Sequence, residues 1–236
     1  MKKKVIVISL GGSLIIPNDI DVKFIKEFKK VILSHTKKYK FIIVCGGGSI
    51  ARKYISALKT SGINETMQSF SGISATRMNA RFMSYFFNQD PLKGIPHKMR
   101  ILNQYIKKQD VVFCGALEYK PAQTSDSTAA GIAKKFETIF INLTNVSGLY
   151  DKNPKKFKNA RFIKEISWKD FLKMANKIKY TPGQHFVLDQ KAAKIILENK
   201  IPTYIIGQNM KELNNALNKK RFKGTIIQDK LDSKIL

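Results

Sequence analysis

The stretch FIIVCGGGSIARKYI, residues 41–55, decides how the rest of the chain is read. An apolar run from Phe41 to Val44 stops at three consecutive glycines, and a helical pattern carrying Arg52 and Lys53 follows at once. Glycine lets backbone approach a ligand closely, and the N–H groups that open a helix present their positive ends to an anion. Strand, glycines, helix start, arginine: that order suits a bound phosphate.

Outward from this unit the chain alternates. Strands are expected at 4–10, 41–45, 110–114, 138–143, 202–206 and 224–228, and helices at 21–34, 49–60, 72–87, 125–136, 167–177, 189–199 and 210–219. Residues 88–97, with Pro91, Gly94 and Pro96, read as loop, and 98–108 as helix. In the first helix Val22, Ile25, Phe28 and Ile32 share a face, and Ser167 followed by Asp170 reads as a capping box. Helix 72–87 is rich in Phe and Met and is expected in the core, a subunit interface being its other use. Strands alternating with helices define an α/β class, a three-layer sandwich whose mainly parallel sheet is covered by helices on both faces. At 236 residues, with no repeat and no linker, the expectation is one domain over 1–236.

Charge is the unusual quantity: 43 Lys and Arg against 17 Asp and Glu, formally +26. A polyanionic partner is one reading. Only six of the 43 are arginines, however, and the lysines are spread through every expected helix except 72–87 with no interleaved aromatic stripe, which marks habitual solvated lysine rather than a nucleic-acid face. Cys45 and Cys114 each end an apolar run and form no CxxC or Cys/His cluster, so buried free thiols of a reducing compartment are expected. The apolar start at 5–10 reaches Gly11-Gly12-Ser13 after six residues, and no run approaches the roughly 20 residues that span a bilayer. The expectation is a cytoplasmic protein without a membrane partner.

Ligands of such sheets gather beyond the carboxyl ends of the strands. Four expected strands end there in unusual sequence: Gly11-Gly12-Ser13, Gly46-Gly47-Gly48-Ser49, the 115–131 stretch with its Thr124-Ser125-Asp126 helix start, and Thr144-Asn145-Val146-Ser147-Gly148-Leu149-Tyr150. A Walker loop is excluded, since no glycine–lysine pair has the spacing it needs. Gly46, Gly48 and Ala51 fit GxGxxG/A, but on the second strand, and Glu65 has no strand before it, so a dinucleotide fold is disfavoured. His35, His97 and His185 are isolated, and no Gly-x-Ser-x-Gly is present, which argues against zinc-hydrolase and triad chemistry.

Taken together, ISLGGSLI (8–15), GGGSIARKYI (46–55), GISATRMNA (72–80), TSDSTAA (124–130), NLTNVSGLYDKNPKKF (142–157), PGQHFVLDQKAAKII (182–196) and GTII (224–227) resemble the amino acid kinase family, and within it UMP kinases of the archaeal type. The resemblance implies transfer of the ATP γ-phosphate to UMP, with Mg²⁺ as companion of ATP and no protein ligand assigned to the metal. It implies an acceptor side over about 1–140 and an ATP side over about 141–236. Gly11, Gly12, Ser13, Gly48 and Arg52 would hold the transferring phosphoryl group; Gly47, Ser69, Thr124, Ser125 and Asp126 would hold UMP. Thr144, Asn145, Tyr150 and Asn153 would line the ATP side, and Gly12, Ser13, Arg52 and Lys152 would serve catalysis. A homo-hexamer, a trimer of dimers, and inhibition by UTP are implied by the resemblance alone. Isopentenyl phosphate kinases share the fold but are expected to carry a histidine in the loop at 46–52, which has none.

The chain departs from the family pattern at Ser9, where lysine or aspartate is usual, at Ser69, where aspartate precedes Phe70-x-Gly72, and at Ser147, where the Thr-Asn-Val-Asp-Gly loop carries its acid. The 116–123 loop is also atypical. These changes remove or avoid a carboxylate or an ammonium, and Lys120 or Lys152 is expected to supply the positive charge that the first strand, with Ser9, does not. The same departures leave open a uridine-nucleotide-binding regulator or storage protein with impaired turnover.

Overall fold

The computed structural model describes residues 3–121, 123–154, 156–177 and 187–229. Strand β1 (Lys4–Leu10) leads into the short helix α1 (Gly12–Ile15) and then α2 (Val22–Ser34). Strand β2 (Tyr39–Cys45), helices α3 (Gly48–Thr60), α4 (Glu65–Phe86) and α5 (Met99–Lys108), and strand β3 (Val111–Cys114) follow. Next come α6 (Ser125–Phe136), β4 (Phe140–Leu143), the small strands β5 (Leu149–Tyr150), β6 (Phe162–Ile163) and β7 (Glu165–Ile166), and α7 (Trp168–Asn176). Helix α8 (Gln190–Glu198), β8 (Thr203–Ile206), α9 (Met210–Leu217) and β9 (Gly224–Ile227) complete the described chain.

Seven strands form one sheet in the order β3-β2-β1-β4-β8-β9-β7, while β5 and β6 pair as a separate hairpin. Pairing is parallel from β3 through to β8; only β9 runs antiparallel to β8. The two-residue period of a strand sends alternate residues to opposite faces. Ile6, Ile8 and Leu10 of β1, with Phe41, Ile43 and Cys45 of β2, join Phe28 and Ile32 of α2, Met83 of α4 and Leu213 of α9 on one face. Val7 of β1, with Ile42 and Val44 of β2, meets Leu102 of α5, Ala129 and Ile132 of α6, Phe171 of α7 and Ile196 of α8 on the other. This is the expected three-layer architecture, with a core on each side of the sheet.

Three local expectations are corrected. Val22 is 45% exposed, and the buried stripe of α2 is Phe24, Ile25, Phe28 and Ile32, because the helix begins at Val22 and Phe24 sits nearer the face centre. Helix α4 starts at Glu65, seven residues before the expected 72: the Asn64 side chain accepts from the Met67 N–H and caps a polar first turn. Its apolar residues divide, with Ile73, Ala80 and Met83 buried and Met67, Phe70, Met78 and Tyr85 exposed. At α7 the Ser167 hydroxyl caps the Asp170 N–H, but the Asp170 carboxylate accepts from the Ser167 hydroxyl rather than closing the box on the backbone. The full capping box lies at α6, between Thr124 and Ser127.

Candidate active site

Strand order explains why the distant glycine and Thr-rich loops meet. The chain lays β2 and β3 on one side of β1, then returns to lay β4 and β8 on the other, so the order in which strands are added reverses between β1 and β4 while the strands stay parallel. Parallel strands put their carboxyl ends on one edge, and the crevice at such a reversal is where ligands of these sheets bind. All four loops singled out in the sequence therefore open on the same rim.

The two glycine loops at this rim are packed backbone to backbone. A Cβ on Gly12 would lie 2.1 Å from the Gly48 nitrogen, and one on Gly46 would lie 2.6 Å from the Gly12 nitrogen. Gly48 has φ +63°, in the left-handed region, and a Cβ there would meet the Gly12 carbonyl oxygen at 2.6 Å. Gly11 donates its N–H to the Leu143 carbonyl at 3.0 Å, joining the first loop to the end of β4. With Gly11 as the cap of α1, the N–H groups of Gly12 and Ser13 have no acceptor within the helix, as at any helix start. Arg52 follows Gly48 by four residues on α3 and is exposed; a helical side chain leans back over the preceding turn, here the glycine turn.

Helix α4 braces the rim from one side. Asn79, 2% exposed, donates from Nδ2 to the Gly46 carbonyl at 2.7 Å, and Thr76 Oγ1 accepts the Ala116 N–H at 3.0 Å. Arg77 Nε donates to the Ala116 carbonyl at 3.2 Å and Nη2 to that of Leu117. Ser69 is exposed in the second turn of α4, roughly 15 Å along the helix axis from Asn79 at the ordinary rise per residue. It is not gathered with the glycines. Phe70 beside it stacks on Tyr119 of the 115–124 loop, ring centres 4.9 Å apart.

Thr124, Ser125 and Asp126 open α6. Thr124 Oγ1 accepts the Ser127 N–H, Ser127 Oγ accepts the Thr124 N–H, and the Thr124 hydroxyl donates to Asp189. Asp189 is itself the cap of α8, accepting the Ala192 N–H at 2.9 Å. The Asp126 Oδ1 accepts from the Ser9 hydroxyl at 2.7 Å and from Asn142 Nδ2 at 3.0 Å. Ser9 and Asn142 are register partners on β1 and β4, and stand where their neighbours on that face, Val7 and Phe140, are apolar core. Burial, with the Asp189 charge beside it, pushes the Asp126 carboxyl up to about 7, against the pull of its bonds to Ser9 and Asn142.

On the opposite side of the rim Thr144 donates its N–H to the Ile206 carbonyl at 3.0 Å. Asn145 and Ser147 follow, half-buried, and Gly207 packs so closely that a Cβ there would lie 3.1 Å from the Ser147 Cα. Tyr150 belongs to the β5–β6 hairpin and packs edge-on against Phe162. Asp151 and Arg161 close the base of the excursion that carries Lys152 and Asn153, with the Arg161 N–H donating to the Asp151 carboxylate at 2.7 Å. The Lys152 ammonium lies 5.8 Å over the Phe157 ring, and Lys120 is exposed on its loop.

Sequence reasoning missed Asn79, Asn142 and Asp189, and missed Ser9 as a partner of Asp126. A polar residue inside an otherwise apolar strand was the available signal for Ser9 and Asn142. Residues 182–186 of the quoted 182–196 stretch lie outside the described residues. Among the described residues, three buried side-chain oxygens have no hydrogen-bond partner: Ser49 Oγ, Gln123 Oε1 and Asn142 Oδ1. All three flank this rim, next to Gly48, next to Thr124 and two residues before Thr144. A cavity of about 340 Å³ lined by Leu33, Phe87, Lys93 and Tyr105 opens instead at the amino ends of β2 and β3, away from every one of these loops.

Interlocked glycine loops and helix starts, lining one edge of a parallel sheet where the strand order reverses, define the class of α/β protein to which the chain belongs. The profile described as the Amino acid kinase family matches residues 4–207, and the chain belongs to that family. It is similar to a protein named uridylate kinase from Thermoplasma volcanium, 35% identical over 228 residues, covering 95% of this chain and 98% of the relative. It is also similar to one of the same name from Thermococcus kodakarensis, 32% identical over 204 residues, covering 86% and 90%. The solved uridylate kinase of Archaeoglobus fulgidus superposes with a TM-score of 0.81 at 32% identity, covering 94% of this chain and 99% of that one. Among the described residues no helix is long and apolar enough to cross a membrane.

Proposed function

We infer that this chain is a nucleoside monophosphate kinase that phosphorylates UMP from ATP, giving UDP and ADP. The observation that carries the reading is the convergence of the Gly11–Ser13, Gly46–Ser49, Thr124–Asp126 and Thr144–Ser147 loops on one rim. Whole-length similarity to proteins named uridylate kinase supplies the substrate class. The part of the chain to about residue 140 takes the acceptor and the remainder takes ATP.

An oxygen of the UMP α-phosphate attacks the γ-phosphorus in line. A P–O bond forms there as the bond to the β–γ bridging oxygen breaks, and ADP leaves with that oxygen's electron pair. The nucleophile is already anionic, so no general base is needed; alignment and neutralisation of crowded phosphates are. Backbone N–H groups of Gly12, Ser13 and Gly48 face the transferring group, and Arg52 adds a mobile cation beside them. Gly47, Thr124, Ser125 and Asp126 hold the acceptor, with Ser69 toward its far end. Thr144, Asn145, Tyr150 and Asn153 line the nucleotide of ATP, and Lys152, or Lys120 from across the rim, brings the second positive charge.

Mg²⁺, when bound with ATP, draws charge from the β- and γ-phosphate oxygens. The Asp126 carboxylate would offer such an ion a hard oxygen donor, and Asn142 Oδ1 is a further buried oxygen at the rim without a partner among the described residues. The active enzyme is a cytoplasmic homo-hexamer built from dimers, with UTP as competing ligand.

The test is a coupled assay with Mg-ATP against UMP, CMP, dUMP, isopentenyl phosphate and carbamate. UMP-dependent ADP release with UDP as product is expected. Tight UMP or UTP binding without ADP release would instead identify a nucleotide-binding regulator, and turnover confined to another acceptor would reassign the substrate.

A further inference from the structure

Two of the rim loops hang from a single turn of α4. Asn79 Nδ2 donates to the Gly46 carbonyl in the loop after β2, and Thr76 Oγ1 accepts the Ala116 N–H in the loop after β3. Arg77, between them, donates to the Ala116 and Leu117 carbonyls. Backbone packing follows the same lines. A Cβ on Gly115 would lie 2.5 Å from Thr76 Oγ1 and 2.6 Å from the Arg77 nitrogen, so the root of the second loop rests on the helix backbone itself. A Cβ on Gly47 would lie 3.6 Å from the Thr76 methyl group, so one threonine stands between both loops.

These bonds supply a spacing that the sheet does not. Pairing of β2 with β3 ends at Val44 and Cys114, and among the described residues no backbone hydrogen bond joins 46–49 to 115–124. The bonds from α4 are also fixed in sense. The Thr76 hydroxyl gives its own proton to the Ile73 carbonyl at 2.7 Å, so toward Ala116 it can only accept. Asn79 faces a carbonyl and can only donate. Both side chains are buried, at 8% and 2% exposure, on a helix whose other buried residues include Ile73, Ala80 and Met83. An apolar residue at 76 or 79 would leave a loop N–H or carbonyl without its partner.

We propose that Thr76 and Asn79 are positioning residues: the helix turn they share sets the distance between the phosphoryl-donor cradle at Gly48 and the acceptor loop that leads to Thr124. The inference rests on the phosphoryl-transfer reading for the identity of the two ligands. Each side chain bonds loop backbone, so each acts through the loop it holds. Transfer between two anionic groups without a general base depends on alignment, and a misplacement on the order of 1 Å costs about 10²-fold in rate. Loss of either tie shifts one ligand relative to the other while leaving the contacts to each in place.

The experiment compares Thr76→Val, which keeps the shape and loses the hydroxyl, with Thr76→Ser, which restores it. Asn79→Leu removes the second tie, and Met83→Ala, a void in the core beside the same helix, is the control for stability alone. Fold is checked by circular dichroism and Tm. The measurements are kcat, KM for each nucleotide, and the Kd of an adenosine–uridine dinucleoside pentaphosphate that spans both sites. Thr76→Val and Asn79→Leu should lower kcat about 10- to 100-fold, with KM for UMP and for ATP within about twofold of the natural values. Thr76→Ser should recover most of the rate, and Met83→Ala should lower Tm with kcat unchanged. Folded Thr76→Val at the natural kcat overturns the proposal. So does a Thr76→Ser protein as slow as Thr76→Val, a raised KM for UMP with kcat unchanged, or an equal loss of kcat in Met83→Ala. If the natural chain makes no UDP, the kinase reading falls and the tethered compound decides the spacing. Weaker binding of it by Thr76→Val, with UMP and ATP binding unchanged, supports the proposal; any other pattern overturns it.

Discussion

The Thr124 hydroxyl donates to the Asp189 carboxylate, so the cap of α6 is held by the cap of α8. One acid thus closes the first turn of its own helix and orients the hydroxyl that opens another, across 65 residues of chain. Asp189→Ala removes both. Loss of the cap alone costs about 1 kcal/mol, and Thr124 loses the partner that fixes its rotamer. The expected result is a lowered Tm with a raised KM for UMP, while KM for ATP changes less. Asp189→Asn, which retains an acceptor for the Ala192 N–H, should recover most of the stability.

Glycines of the rim and of the helices should respond oppositely to one added methyl group. At Gly12 the new Cβ would overlap the Gly48 nitrogen, backbone that has nowhere to go. Gly12→Ala should cost about 3 kcal/mol or more, at the upper end of overpacking, and abolish nucleotide binding. Gly131, inside α6, has open space where its Cβ would lie. Gly131→Ala should stabilise by about 0.5–1 kcal/mol through helix propensity. Chemical denaturation of both variants decides the matter, and a stable Gly12→Ala protein that still binds ATP would contradict the packed-loop description.

Much of this arrangement was legible because it depends on local pattern. Apolar runs ending in glycine gave β1 and β2 with their loops, and once parallel pairing is inferred, the loops must share an edge. Asp126 was legible as part of a helix start. Its partners were not, since Ser9 meets Asn142 only because β4 lies beside β1, and strand order is not written in hydrophobic period. The early start of α4 was hidden by its polar first turns, whose helical state depends on the Asn64 cap and packing on α3. Val22 was misplaced for a smaller reason: one residue of phase at a helix end turns a side chain by about 100°, from core to solvent.

The two thiols should be silent in the native protein. Cys45 and Cys114 are fully buried at the ends of neighbouring strands, but their side chains belong to opposite faces of the sheet. They are therefore not poised to join. Burial pushes the Cys114 thiol up to about 12, and burial with Cys114 nearby raises Cys45 as well. Thiolate is the reactive form, so a disulfide reagent should titrate both cysteines in denaturant and neither in buffer at pH 8. Modification in buffer should keep pace with unfolding, and fast labelling of folded protein would contradict this burial.

Stability of the metal-free protein should fall with rising pH because of Asp126. Its carboxyl is raised from 3.8 to about 7, first by burial and then by Asp189. Below about pH 4 the folded and unfolded chains both carry the proton, and this group contributes no difference. Between roughly 4 and 7 the unfolded chain has lost the proton while the folded one keeps it, so stability declines through that window. Above it the penalty is complete, at most about 4 kcal/mol for a shift of this size. Asp126→Asn cannot ionise and escapes the penalty. With chelator present its Tm should exceed that of the natural chain at pH 8, and the gap should narrow steadily as the pH falls toward 4. All other titrating groups are common to both proteins, so they cancel in the difference. A gap in Tm that is the same near pH 4 and at pH 8 would mean that the Asp126 carboxyl is not raised on folding, and that the pocket of Ser9, Asn142 and Asp189 does not hold its proton.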